Sequence, residues 1–190
     1  MSHVSLAVDL EVERISEPVV AWRTWQLTGR RDGANLRLRP VAGHARPWLP
    51  QRATEAMCRL GRMHAAPNVD CTCGLHATRE PDPLRRTKSP AVLGRVALWG
   101  RVVEHELGFR GQFGYPQRLG LVCFLCFWRW GPLRSRADAV GYFGRGRLMP
   151  LCHEHFDAAI RYGLTPASRL DAELIEQRLR ETYVVDALAR

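Results

Sequence analysis

Period-two alternation dominates the first two thirds of this chain, and helical spacing takes over only near its end. Val20-Ala-Trp-Arg-Thr-Trp-Gln-Leu27 and Ala34-Asn-Leu-Arg-Leu-Arg39 flank the turn-rich Gly29-Arg-Arg-Asp-Gly33, so Val19 to Val41 reads as a β-hairpin. Leu36 and Leu38 face one way along it, with Arg37 and Arg39 opposite. Val92 to Glu104 is the clearest single strand, and Gly94 and Gly100 within it mark bulges or tight bends. Gly108 turns the chain back into Phe109 to Tyr115, where Pro116 is expected to stop it. A short helix is predicted over Arg52 to Met63. Pro81, Pro83 and Pro90 mark a loop from Thr78 to Pro90. Ser168-x-x-Asp171 has the form of a capping box, opening a terminal helix with Leu170, Leu174, Ile175 and Leu179 on one face.

These elements imply an α+β protein in four parts. An acidic tail or short edge strand occupies 1–18, and a small β-barrel-like region occupies 19–119. A metal finger then spans 120–164, and an amphipathic C-terminal helix closes the chain over 165–190. Four tryptophans, Trp22, Trp25, Trp48 and Trp99, fall in the β-rich part and are expected mostly in its core.

The 46% hydrophobic content suffices for a core. Ser2 to Ile15 carries Asp9, Glu11 and Glu13 where a signal peptide would need basic charge. The longest apolar-rich stretch, Gly120 to Trp128, is far short of the ~20 residues of a membrane helix. A cytoplasmic protein without a membrane partner is the expectation. Net charge is +9, concentrated in residues 21–149, which hold 22 basic and eight acidic residues. All but Lys88 of the basic residues are arginine. The guanidinium fork suits phosphate, although a GC-rich genome also favours Arg over Lys.

The cysteines change the picture most. All six fall into two clusters of three, each with histidine nearby. In a reducing compartment such clusters favour metal over disulfide, and Cys₃His is a closed structural zinc geometry. Two Zn²⁺ ions would use every thiol. In the second cluster Cys123-x-x-Cys126 forms a knuckle, and Cys152 and His155 stand three apart on the first turn of a helix. The 25 residues between Cys126 and Cys152 carry turn signals at Gly131-Pro132 and Gly144-Arg-Gly146, enough for a hairpin. Knuckle, hairpin and helix-borne ligands resemble a treble-clef zinc finger. His153 is the rival ligand, but its neighbour position points it about 100° away. An HNH nuclease needs a histidine in the hairpin, and none lies between Phe127 and Leu151. The zinc-deaminase pairing of His-x-Glu with Pro-Cys-x-x-Cys is also missing. The first cluster offers Cys58, Cys71 and Cys73 with either His64 or His76.

Cys71-x-Cys73-Gly74-x-x-Ala77, Val96-Ala-Leu-Trp-Gly100-x-Val-Val-Glu-His105 and Gly114-Tyr-Pro116-x-x-Leu119 resemble a group of uncharacterised actinobacterial and phage-associated proteins. The resemblance covers Trp22 to Leu119. It implies Cys58, His64, Cys71 and Cys73 as the first ligand set and makes His76 incidental. It implies no activity.

Three functional classes remain. Arg129, Arg134, Arg136, Arg145 and Arg147, interleaved with Trp128, Trp130, Tyr142 and Phe143, are the candidate nucleic-acid surface. A protein partner docking on the terminal helix or the aromatic β face is the second class. The third is a hydrolase working through Glu104 and Glu106, which strand alternation would place on one face.

Overall fold

The computed structural model describes residues 12–41, 46–58, 60 and 64–189. The first strands are β1, Val12–Thr28, β2, Arg37–Pro40, β3, Thr54–Glu55, and β4, Leu75–Thr78. Two long strands follow, β5, Val92–His105, and β6, Gly108–Leu121. Helix α1, Phe124–Trp130, precedes the hairpin of β7, Ala139–Tyr142, and β8, Arg147–Leu151. Helix α2, His153–Arg161, β9, Arg169–Asp171, α3, Ala172–Tyr183, and β10, Asp186–Ala187, complete the described chain. The class is α+β, with strands in the majority.

The strands hydrogen-bond into one continuous sheet. β1 pairs with β5, β5 with β6, β6 with β4, and β4 returns to β1 through Trp22 and Thr78, so these four form a ring. The expected first hairpin is present, with Trp25 opposite Pro40 and Thr28 opposite Arg37. Leu36 and Leu38 are buried, as the alternation requires. β1 starts earlier than the hairpin reading placed it, taking in Val12 to Pro18, and its pairing with β5 is irregular between Ile15 and Val19. Residues 1–11 of the expected tail lie outside the described residues.

Two expectations in this region are overturned. Pro116 does not end its strand. It lies inside β6, opposite Val96, while Arg95 pairs with Arg118, so Gln117 is the extra residue of a bulge that accommodates the missing N–H. The helix over Arg52 to Met63 is replaced among the described residues by β3, which pairs Thr54 with Gly114 on β6. Backbone pairing with β6, continued by Ala56 N–H to Gln112 C=O at 2.7 Å, takes the place of the helix and leaves Met57 and Leu60 72% and 63% exposed. The second β5 glycine is at a bulge as expected. Gly100 has φ +77° at the shift between Trp99 and Val102, a conformation open to glycine.

The main core lies inside this ring and continues into α3. Trp25 and Trp48 meet edge to face with centroids 5.4 Å apart, and Ile175, Leu179 and Tyr183 of α3 pack into the same cluster. Trp22 and Trp99 are only partly buried. The Tyr183 hydroxyl accepts from Leu38 N–H at 2.9 Å and donates to Trp48 C=O at 2.6 Å, and burial pushes its pKa up to about 12. Helix α3 is capped by Asp171, whose carboxylate accepts from Leu174 N–H at 2.8 Å. Ser168 is not the cap; its hydroxyl donates to Arg31 C=O. Leu174 is correspondingly exposed rather than on the buried face. β8 joins β1 through Leu27–Leu148 and Thr28–Arg147, so the β7–β8 hairpin is an extension of the same sheet.

Candidate metal centres

The second cluster is built by two helix starts of the same form. Cys123 is the N-cap of α1 and Cys126 lies on its first turn; Cys152 is the N-cap of α2 and His155 lies on its first turn. Each cap carbonyl accepts the first helical bond, from Phe127 N–H and Phe156 N–H, both at 2.9 Å. Phe127 and Phe156 are both buried. The pattern is Cys-x-x-ligand-Phe, used twice. The sequence reading missed this repeat, although it is legible in Cys123-Phe-Leu-Cys-Phe127 and Cys152-His-Glu-His-Phe156. It replaces the free knuckle with a helical turn, and both pairs sit where helix dipoles favour anionic thiolate.

The distances test the metal directly. Four donors around one zinc, at about 2.3 Å for sulfur and about 2.0–2.1 Å for nitrogen, stand about 3.8 Å (S···S) and about 3.6 Å (S···N) apart in a tetrahedron. Cys126 and Cys152 Sγ are 3.6 Å apart, and His155 Nδ1 lies 3.4, 3.4 and 3.1 Å from Cys123, Cys126 and Cys152. A disulfide needs about 2.05 Å, and all six cysteines are free. His153 faces away. Its backbone N–H donates to Asp138 Oδ2 at 2.9 Å and its ring is 3.9 Å from Asp157. Asp138, the one acid among the hairpin arginines, therefore caps α2. Burial pushes the Cys123 and Cys126 thiols up, opposed at Cys123 by backbone N–H groups of Cys126, Cys152 and Leu125.

The first cluster has loop-borne ligands. Cys58 follows β3, and Cys71 and Cys73 precede β4, with His64 in the intervening loop. Cys58 and Cys71 Sγ are 3.8 Å apart, and His64 Nε2 is 3.3 Å from Cys73 Sγ. In each cluster the four donor atoms lie within 4.8 Å of one another. Each could hold one metal ion, and the spacing and donor set fit zinc. His76 stands apart, its Nε2 2.8 Å from Thr72 C=O, and burial lowers its pKa.

What holds these loops is an arginine that sequence reasoning passed over. Arg110 on β6 is only 6% exposed, and its Nη1 donates to the carbonyls of Cys71, Asn68 and Cys73, the last two at 3.2 Å. Gly74 makes room for it: a Cβ there would lie 2.9 Å from Arg110 Cβ, and its φ is +129°. A divalent ion with three thiolates carries net charge −1, so a buried guanidinium beside the ligand loop is its natural counter-charge.

The hairpin arginines do not form one patch. Arg145 and Arg147 lie at the β7–β8 turn, whereas Arg136 bridges Val122 and Arg134 ends a 3-10 turn at the other end. Arg129 lies over the Trp130 ring at 4.7 Å. Trp128 is tied to the preceding loop, its Nε1 donating to Thr87 C=O at 2.9 Å, and Tyr142 packs against the core. Arg39 of β2, which no motif singled out, joins Arg145 and Arg147 around a cavity of about 210 Å³ with no acidic residue in its lining. Glu104 is exposed and paired with Arg79, and Glu106 lies in the turn between β5 and β6. The common strand face expected for the two carboxylates therefore ends before Glu106.

No described helix is long and apolar enough to cross a membrane. Compared with protein-family models, curated proteins and solved structures, the chain has no match.

Proposed function

We propose that this protein is a non-enzymatic, zinc-stabilised module that binds nucleic acid in a reducing, cytoplasmic setting. In this reading the second centre is a treble-clef-like finger, the strand ring is a barrel-like support, and both ions are structural, because four protein ligands leave no open position for water. The observation that carries it is the cavity whose charged lining is Arg39, Arg145 and Arg147 with no acid, and with the hydroxyl-bearing Thr28 and Ser89 in its wall. Three guanidinia in one cavity lining, one from β2 and two from the β7–β8 turn, match a phosphate's several oxygens. The surrounding charge is available: Arg79–Glu104 is the one arginine–carboxylate ion pair among the described residues. Kinship with the actinobacterial and phage-associated group stays a proposal. It is supported by its three motif segments falling on the Cys71 loop with β4, on β5 and on β6, which pair directly.

The test is binding of single- and double-stranded oligonucleotides at several salt concentrations. Wild type should lose affinity steeply with salt. The triple change Arg39→Gln, Arg145→Gln and Arg147→Gln should cut the log–log salt slope by about 2 to 3, from roughly 0.7 to 0.9 per phosphate contact. Absent or salt-independent binding sinks the reading.

A protein-adaptor reading draws support from exposed Trp130 and Leu133 around the end of α1 and from Ile160, Tyr162 and Leu164 around the end of α2. Its partner would stay bound in high salt. The hydrolase reading has less behind it, since Glu104 is exposed and held by Arg79. Full activity of a Glu104→Ala, Glu106→Ala variant on any substrate found would end it.

A further inference from the structure

Register places Arg23 on the inward face of β1, with Ala21, Trp25 and Leu27. Its guanidinium lies 5.0 Å from the Trp48 ring centroid and 5.9 Å from that of Trp25. Nη1 donates to His76 C=O, while Nε is buried with no hydrogen-bond partner. No carboxylate pairs with it among the described residues. Burial pulls its pKa down to about 10, which leaves it charged at neutral pH.

Arg23 is half-buried and its Nε is sealed from solvent, and a cation so placed without a carboxylate calls for an explanation. Arg110, also turned inward, has one: the carbonyls of Asn68, Cys71 and Cys73, beside a ligand set that would be anionic with a metal bound. Arg23 instead lines a cleft of about 870 Å³, within the size range of small-molecule sites. The cleft has two characters. Arg46 and Arg52 join Arg23 in its wall against the single acid Glu55. The rest of the lining is largely apolar, with Leu49, Met57 and Leu60 exposed to it. Water in the cleft would not reach the sealed Nε and would leave the exposed Leu and Met side chains hydrated.

The geometry points to a ligand site for a small amphiphilic anion, its carboxylate or phosphate head on Arg23 and its apolar body along Leu49, Met57 and Leu60. The site is separate from the cavity assigned to nucleic acid, and it stands or falls without that reading.

The experiment titrates the metal-loaded, full-length chain with decanoate, decyl phosphate and decanol, each below its aggregation threshold, by calorimetry. One or both anions should bind one to one, and decanol at least about tenfold more weakly, the scale of one charge-assisted hydrogen bond. Comparing the two anions distinguishes a carboxylate from a phosphate ligand. Arg23→Gln should weaken the anion at least about tenfold with melting temperature and metal content unchanged. Leu49→Glu, a change at an exposed position on the wall, should do the same by setting a carboxylate against the ligand's apolar body. Should Arg23→Gln not fold, Leu49→Glu alone decides. Equal binding of decanol, no binding by any probe, or unchanged affinity in Leu49→Glu overturns the proposal. So does displacement of the anion by a short oligonucleotide, which would return the cleft to the polyanion surface.

Discussion

The two metal centres use the same donors on different scaffolds. In the second, every ligand sits at the start of a helix, and the surrounding apolar cluster, Cys123, Ala139, Leu151 and Phe156, comes from the ligand-bearing elements and the hairpin between them. In the first, the ligands are on loops, and Cys73 packs at the margin of the main core, which has Trp25, Trp48 and Tyr183 to hold it without a metal. An ion in the second would thus be the centre of a small core, and one in the first a clasp on the edge of a large one. The donor set alone does not say how much a metal contributes to folding; the material behind it does.

Cysteine replacement probes that difference most strongly. Structural zinc contributes on the order of 10 kcal/mol in finger peptides, comparable to the entire stability of a domain, about 5–15 kcal/mol. Cys123→Ser or Cys152→Ser should therefore give insoluble or unfolded protein. Cys58→Ser should leave a folded protein with one metal equivalent and a lowered melting temperature. Equal effects in the two centres, read by circular dichroism melts and metal content, would erase the distinction.

Arg110→Met separates the centres more finely. It keeps much of the side-chain volume while removing the charge and three hydrogen bonds to the ligand loop, and losing groups that hold metal ligands in place costs about 10- to 100-fold in metal affinity. Chelator competition should show one weakened equivalent and one unchanged. Equal retention of both ions would deny Arg110 its place in the first centre.

Asp138→Ala is the smallest and acts on the other side. Losing the carboxylate that caps α2 should cost about 1 kcal/mol, a lower melting temperature with metal in the first centre untouched. A change in the first centre's metal affinity would show that the two are coupled through the sheet.

Much of this was legible because it is local. Two histidine candidates for the second site differ by two residues, and helical geometry chooses His155 over His153. The capping of α3 was misread by one helical turn, because Ser168 and Asp171 are both good caps and only the packing of Ile175, Leu179 and Tyr183 settles where the helix begins. The Arg52–Met63 segment has the composition of a helix, but the edge of β6 takes Thr54 and Glu55 into the sheet.

By itself, the sequence determined the hairpins, the two Cys₃His groupings and the terminal amphipathic helix, since each depends on spacing within a turn, a strand pair or a short loop. Tertiary structure decided what depends on distant partners. It drew Arg39 to Arg145 and Arg147, turned Arg23 and Arg110 inward, and let Pro116 continue a strand by placing a bulge beside it. Inward arginines have no signature in an alternating pattern, because charge predicts exposure until the fold supplies a compensating carbonyl, thiolate or ligand.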